Sequence, residues 1–142
     1  MKKPNHCLYI VLMLCSLTAH AQTFCINSSL DLQTALDTAS NNASANVIRL
    51  VQGHYVGEFI FTAKTDYGLT IDGGYNSTCN TQTSDAVLTV LDADGKGQVL
   101  QLLAEDFNAD IEIKGISIVN GTKGVLIKTE GNVNLNNNKF LN

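Results

Sequence analysis

The sequence predicts a mainly β fold, a stack of about five parallel coils closed at its N-terminal end by one amphipathic helix. Three observations predict it. Alternating apolar pairs recur down the chain: Ile48/Leu50, Leu69/Ile71, Thr89/Leu91, Ile111/Ile113 and Val133/Leu135, with second members 21, 20, 22 and 22 residues apart. The segment 110–120 superposes on 132–142, placing Ile111 on Val133, Ile113 on Leu135, Gly115 on Asn137, Ile118 on Phe140 and Asn120 on Asn142. Turn residues follow the alternating pairs, as in Asp72-Gly73-Gly74 and Asp92-Ala93-Asp94-Gly95. A repeated unit of this size cannot bury its apolar face alone and must stack on its neighbours. An antiparallel sandwich would show turns every 8–12 residues or so without a long-range register. Leucine-rich repeats would place leucines and an asparagine at fixed positions in every unit.

The chain opens with an address segment, residues 1–21. Lys2 and Lys3 precede the apolar run Leu8–Leu17, which is too short to span a bilayer, and Ala19-His20-Ala21 supplies small residues for cleavage before Gln22. A lipoprotein signal acylated at Cys15 is the competing reading; Leu14, too large for the position before that cysteine, disfavours it. These features predict export through the Sec pathway to the cell surface, the periplasm or the medium, with no later apolar run to span a membrane.

Residues 22–46 are read as a cap with a helix over about 29–41. Ser28 and Asp31 have capping-box spacing, and Leu32, Ala35, Leu36 and Ala39 form a stripe at i, i+3, i+4, i+7. The stripe fits a helix lying on a sheet or a lid over the open end of a stack; the lid is preferred because an exposed end needs cover. Residues 47–142 carry the coils, with further strands at Phe59–Phe61, Val99–Leu103 and Val125–Ile127. Asn120 and Asn142 are either stacked amides or ordinary turn residues.

Without the address the chain holds 7 basic and 13 acidic side chains, a net charge of about −6. That balance argues against nucleic-acid and anionic-membrane partners, which need clustered Lys and Arg. Cys25 and Cys79 are the cysteines left after cleavage, and in an exported protein they most simply form a disulfide.

The runs Val47–Tyr55, Leu69–Tyr75 with Cys79, Val90–Gly95 and Ile113–Gly121 together resemble the N-terminal part of secreted bacterial right-handed parallel β-helix proteins of pectate-lyase-like architecture. The resemblance covers nearly all of the chain after residue 21. It implies the fold and leaves activity open, because that fold hosts lyases, hydrolases, adhesins and passenger domains.

Lyases of this kind are similar in using a basic residue beside calcium-binding acids. Arg49, the only arginine, lies between inward Ile48 and Leu50 beside the cap, where catalysis is out of place. The hydrolases resemble one another in grouping aspartates with a histidine; Asp92 and Asp94 are close, but His54 is distant in sequence and is read as a surface residue. Asp92-Ala93-Asp94-Gly95 has half of a calcium-loop spacing but lacks the later ligands, notably a bidentate Glu, and is read first as a turn; should a cation bind between coils, Asp92 and Asp94, with Asp72 one coil below, are its candidate calcium ligands. Tyr55, Tyr67 and Tyr75 are candidate sugar-facing aromatics, while Phe59 and Phe61 are read as inward. Asn27, Asn42, Asn76 and Asn120 match the glycosylation sequon, which matters only in a host that glycosylates.

The expectation is an exported non-catalytic scaffold for attachment or for binding carbohydrate or a cell-surface protein. The alternative is the N-terminal part of a polysaccharide lyase or glycoside hydrolase whose catalytic coils lie beyond residue 142. The last strand has no closing segment after it, so its edge is expected to continue into further coils or to meet a partner.

Overall fold

The computed structural model describes residues 20–141; the proposed address segment before His20, and the stacking of Asn142 on Asn120, lie outside them. The described chain is mainly β, with three parallel sheets and one α-helix. Sheet 1 contains β1 (Gln22–Ile26), β2 (Asn46–Val51), β5 (Leu69–Tyr75), β8 (Ile111–Lys114) and β11 (Val133–Asn136), in that order across the sheet. Sheet 2 runs β3 (Gly53–Val56), β6 (Thr89–Asp92), β9 (Ser117–Val119) and β12 (Lys139–Leu141). Sheet 3 runs β4 (Phe59–Thr62), β7 (Gln98–Ala104) and β10 (Lys123–Thr129). From β2 onward the chain visits sheets 1, 2 and 3 in unchanging rotation, and each strand pairs in parallel with its counterpart one circuit later.

Alternation within each strand sends one set of side chains inward, and the register lines them up. Ile48, Ile71, Ile113 and Leu135 form one column, and Tyr55, Leu91, Ile118 and Phe140 another. Sheet 3 adds Phe59, Leu100 and Val125 beside Phe61, Leu102 and Ile127. Fully burying each such side chain stabilises by roughly 1.5–3 kcal/mol.

The register corrects the predicted period. Ile48 pairs with Ile71, a step of 23 residues, and Ile71 with Ile113, a step of 42. Leu91 is in sheet 2, between Tyr55 and Ile118, and is not a member of the Leu50–Ile71 series. The described chain therefore makes three full circuits and part of a fourth, where five were expected. The apparent spacing of 20 between Ile71 and Leu91 comes from an insertion, residues 76–88, that holds back β6. This loop returns to β5 through an antiparallel bridge between Tyr75 and Gln82, ends in a one-turn 3-10 helix at Ala86–Leu88, and is tied to β1 by the Cys25–Cys79 disulfide, with Cα atoms 5.8 Å apart.

Residues 22–46 begin with a strand, β1, that periodicity did not reveal. The helix α1 follows at Ser29–Asn41. Ser28 Oγ accepts from the Asp31 backbone N–H at 3.1 Å and donates to the Asp31 carboxylate at 2.6 Å, so the acid bonds the capping hydroxyl and does not reach the backbone. Leu32, Ala35, Leu36 and Ala39 are buried. Gln33 shows how the helix meets the sheet edge: its side-chain amide donates to Ile60 O at 2.8 Å and accepts from Ile60 N at 3.0 Å. It thereby gives β4 the donor and acceptor that a neighbouring strand would supply.

Close approach of successive circuits needs glycine at the corner between sheets 1 and 2. A Cβ on Gly73 would stand 2.4 Å from Gly115 O, and Gly115 itself has φ +67°. Asn137, one circuit later, has φ +50°, so the corner repeats with asparagine as the tolerated substitute.

Candidate functional site

The outer face of sheet 1 carries two aligned rows of side chains. Register places Cys25, Arg49, Asp72, Lys114 and Asn136 in one row, and Val47, Thr70, Glu112 and Asn134 in the next. The first row alternates charge. Arg49 donates from Nη1 to Cys79 O at 3.1 Å and lies 5.2 Å from the centroid of the Tyr75 ring. Asp72 is buried; it accepts from the Tyr75 hydroxyl at 2.9 Å and from Gln82 Nε2, and lies 3.4 Å from Lys114 Nζ. Burial, reinforced by the hydrogen bond to Asp72, pushes the Tyr75 phenol above its ordinary pKa and keeps it a neutral donor.

Two hollows flank this row. One is lined by Asp66, Thr70, Asp110, Glu112, Asn132 and Asn134; the other, beneath the 76–88 loop, by Gln82, Ser84, Lys114, Asn136 and Asn137. Their floor is fixed by the strands. Their rims are held by Asp110, which accepts from the Asn132 backbone N–H at 2.8 Å, and by Asn137, which donates to Ser84 O at 3.1 Å. Amides, two hydroxyls and one ammonium among carboxylates suit a neutral, hydroxyl-rich ligand and repel a polyanion.

A second polar group lies at the end of sheet 2. Asp92 accepts from Asp94 N at 2.7 Å, from Asn120 Nδ2 at 3.1 Å, and pairs with His54 Nε2 at 2.8 Å. The Asp94 backbone N–H, assisted by His54 and Asn120, holds the Asp92 carboxyl below the usual carboxylate range. Asp92 thereby links β3 and β6 to the turn that follows β9.

The sequence candidates disperse accordingly. Asp72 and Asp92 do not stack: Asp72 stands between Arg49 and Lys114 in sheet 1, and Asp92 between Val56 and Val119 in sheet 2. Asp94 is exposed in a turn, 3.3 Å from Lys96. Among the described residues no group of three or more His, Cys, Asp or Glu side chains is placed to hold a metal ion. Tyr55 is a correction as well. It is 2 % exposed, part of an inward column, and its hydroxyl reaches Ile26 O and Val51 O at 2.8 Å each, so it faces no ligand. Tyr75 is buried under Arg49; Tyr67 alone of the three is exposed. Sequence reasoning also missed the His54–Asp92 pair, because the two are 38 residues apart. No local pattern announces it: register sets His54 opposite Val90 and Asp92 opposite Val56.

Comparison of the chain with protein-family models, with curated proteins and with solved structures finds no match. Among the described residues no helix is long and apolar enough to cross a membrane.

Proposed function

We propose that the protein is an exported, non-catalytic scaffold that binds neutral carbohydrate, or a glycosylated cell-surface protein, along the outer face of sheet 1. In this reading the three sheets are the walls of a right-handed parallel β-helix of the pectate-lyase-like kind, with α1 as its cap. The rotation of the chain through the sheets and the aligned inward columns support that architecture. The row Arg49–Asp72–Lys114, with a hollow on either side, carries the functional reading: Asp72 lies between two cations, Lys114 also lies 3.7 Å from Glu112, and the amides of Asn132, Asn134 and Asn136 remain at the surface. Export to the cell surface, the periplasm or the medium is supported by the disulfide, which persists in oxidising compartments. Titration of the protein against a panel of neutral and uronate oligosaccharides tests the reading. Binding of neutral members, weakened about tenfold or more by Glu112→Ala with Asn134→Ala, is expected, since each lost hydrogen bond is worth about 1 kcal/mol. Binding confined to uronates, or unchanged by these substitutions, would sink it.

One observation favours a second reading. Val133, Leu135, Phe140 and Leu141 are exposed at the end opposite α1. Further coils carrying the catalytic residues of a lyase or hydrolase would cover them, and this chain would then be the N-terminal part of that enzyme.

A further inference from the structure

Cleavage before Gln22 would make a glutamine the first residue of the mature chain. The backbone of that glutamine makes the ladder bond that Asn46, Leu69 and Ile111 repeat in the later strands of sheet 1, while its side chain makes a contact those residues lack. Gln22 begins β1 beside Asn46, and its backbone N–H donates to Ala45 O at 2.8 Å. Its side-chain carbonyl Oε1 accepts from Asn42 Nδ2, also at 2.8 Å. Both partners belong to the short segment joining α1 to β2, so one donor and one acceptor face Gln22 from a single stretch of chain.

Asn42 is held in turn by Asn46. Asn42 Nδ2 also donates to Asn46 Oδ1 at 2.6 Å, and Asn46 Nδ2 returns a bond to Asn42 Oδ1 at 3.0 Å. Asn46 is itself buried, and it donates to Ala39 O at 3.3 Å and Ser44 O at 2.8 Å. Asn46 occupies the inward position that Leu69, Ile111 and Val133 fill in the later strands of sheet 1. An amide there costs burial energy unless bonded; two of its bonds hold the Asn42 amide that meets Gln22, and the others go to Ala39 O and Ser44 O.

We infer that Gln22 is a modification site, and that the mature chain begins with a pyroglutamyl residue seated on Ala45 and Asn42. The inference rests on the export reading, which supplies the free amine. In the step, the lone pair of the neutral Gln22 α-amine attacks its own side-chain carbonyl carbon, Cδ. The N–Cδ bond forms, the Cδ–Nε2 bond breaks, and Nε2 leaves as ammonia with one proton taken from the attacking nitrogen. No oxidant or co-reactant enters. The product is a five-membered lactam whose single N–H and single C=O lie side by side on one edge of the ring. Ala45 O and Asn42 Nδ2 present the complementary acceptor and donor. A free ammonium would instead bring a charge and surplus donors to a site offering one backbone carbonyl. Gln22, Ala21 and His20 are all exposed, so peptidase and amine chemistry can reach the junction.

Intact mass and N-terminal peptide sequencing of the exported protein test the inference. The expected chain starts at residue 22, is lighter than the free-glutamine form by one ammonia, and resists amine-directed sequential degradation. A chain starting at Gln22 that keeps a free amine and the full mass overturns the cyclisation and leaves the export reading intact. A chain that retains residues before Gln22 overturns both. To separate the two questions, a second sample carries a tag whose protease leaves Gln22 as the first residue. Cyclisation during storage at neutral pH is expected there, with a melting temperature at least as high as before; no ammonia loss, or a lower melting temperature on cyclisation, overturns the inference. Gln22→Ala provides the reference that cannot cyclise.

Discussion

The phenol of Tyr55 shows what a single inward position does among these parallel sheets. Burial pushes its pKa from 10.0 to about 12. A group whose folded value is raised contributes stability that is fully present below its unfolded value and is lost as pH climbs through the folded one. Alkaline unfolding should therefore include a Tyr55 component between pH 10 and 12. Tyr55→Phe should remove that component and cost about 1–2 kcal/mol at neutral pH, since Ile26 O and Val51 O lose a donor in the core. Urea unfolding at pH 7 and a melting series to high pH check both halves. Asp92 behaves with the opposite sign. Its folded value lies below the ordinary 3.8, so its contribution is complete above that pH and disappears as pH falls through the lowered value. Asp92→Ala should flatten the acid limb of the stability profile below about pH 4 and lower the melting temperature at pH 7. An unchanged acid limb would show that His54 and Asn120 are not held by this carboxylate. Little of this was legible from the sequence, which placed Tyr55 outside and His54 away from Asp92. Alternation assigns sides only within a strand. The bend at Gln52-Gly53 between β2 and β3 resets which parity faces inward, and no local pattern announces the reset.

At the scale of elements, legibility followed the strength of local periodicity. The helix was plain because its stripe and its Ser28 cap are local signals, and the pairing of β8 with β11 was plain because nothing is inserted between their circuits. β1 was hidden because one strand of five residues has no period to display before the helix intervenes. The 76–88 insertion was hidden by numerical accident: Leu91, displaced by the loop, fell near the position expected for a sheet 1 residue. The loop is held by the disulfide, by Arg49 on Cys79 O and by Ser117 Oγ donating to Ala86 O at 2.9 Å. Cys25 and Cys79 are 54 residues apart, and closing a loop of that length contributes about 4 kcal/mol in the chain-entropy account. Cys25→Ser with Cys79→Ser should accordingly lower stability by about 2–5 kcal/mol, read from the denaturant midpoint. Protease nicking within residues 76–88 should rise alongside it. A change below about 1 kcal/mol would mean that the loop's hydrogen bonds hold it without the covalent tie.

Among the described residues the two outer edges of the three sheets differ. At one end α1 lays Leu32 and Leu36 over the core, and Gln33 satisfies the edge of β4. At the other end the inward columns run out into solvent: Ile113 is fully buried, whereas Leu135, the next member of its column, is 46 % exposed, and Phe140 is 52 % exposed beyond buried Ile118. The edges of β10, β11 and β12 present backbone donors and acceptors around that apolar surface. Covering it returns about 25 cal/mol for each Å² of apolar area removed from water, so any compatible edge, including that of a second copy, is attracted to it. A polypeptide of residues 22–142 alone should therefore self-associate as concentration rises, with the edges of β10, β11 and β12 in contact. Leu135→Lys with Phe140→Lys should abolish the association while leaving the melting temperature nearly unchanged, because both side chains are already half in water and a charge on an edge blocks strand addition. Light scattering over a concentration series, with a dye that reports exposed apolar surface, provides the measurement. A wild-type chain that stays monomeric and dye-silent at high concentration would refute these edges as an association surface; association unaltered by the two lysines would place the contact elsewhere on the molecule.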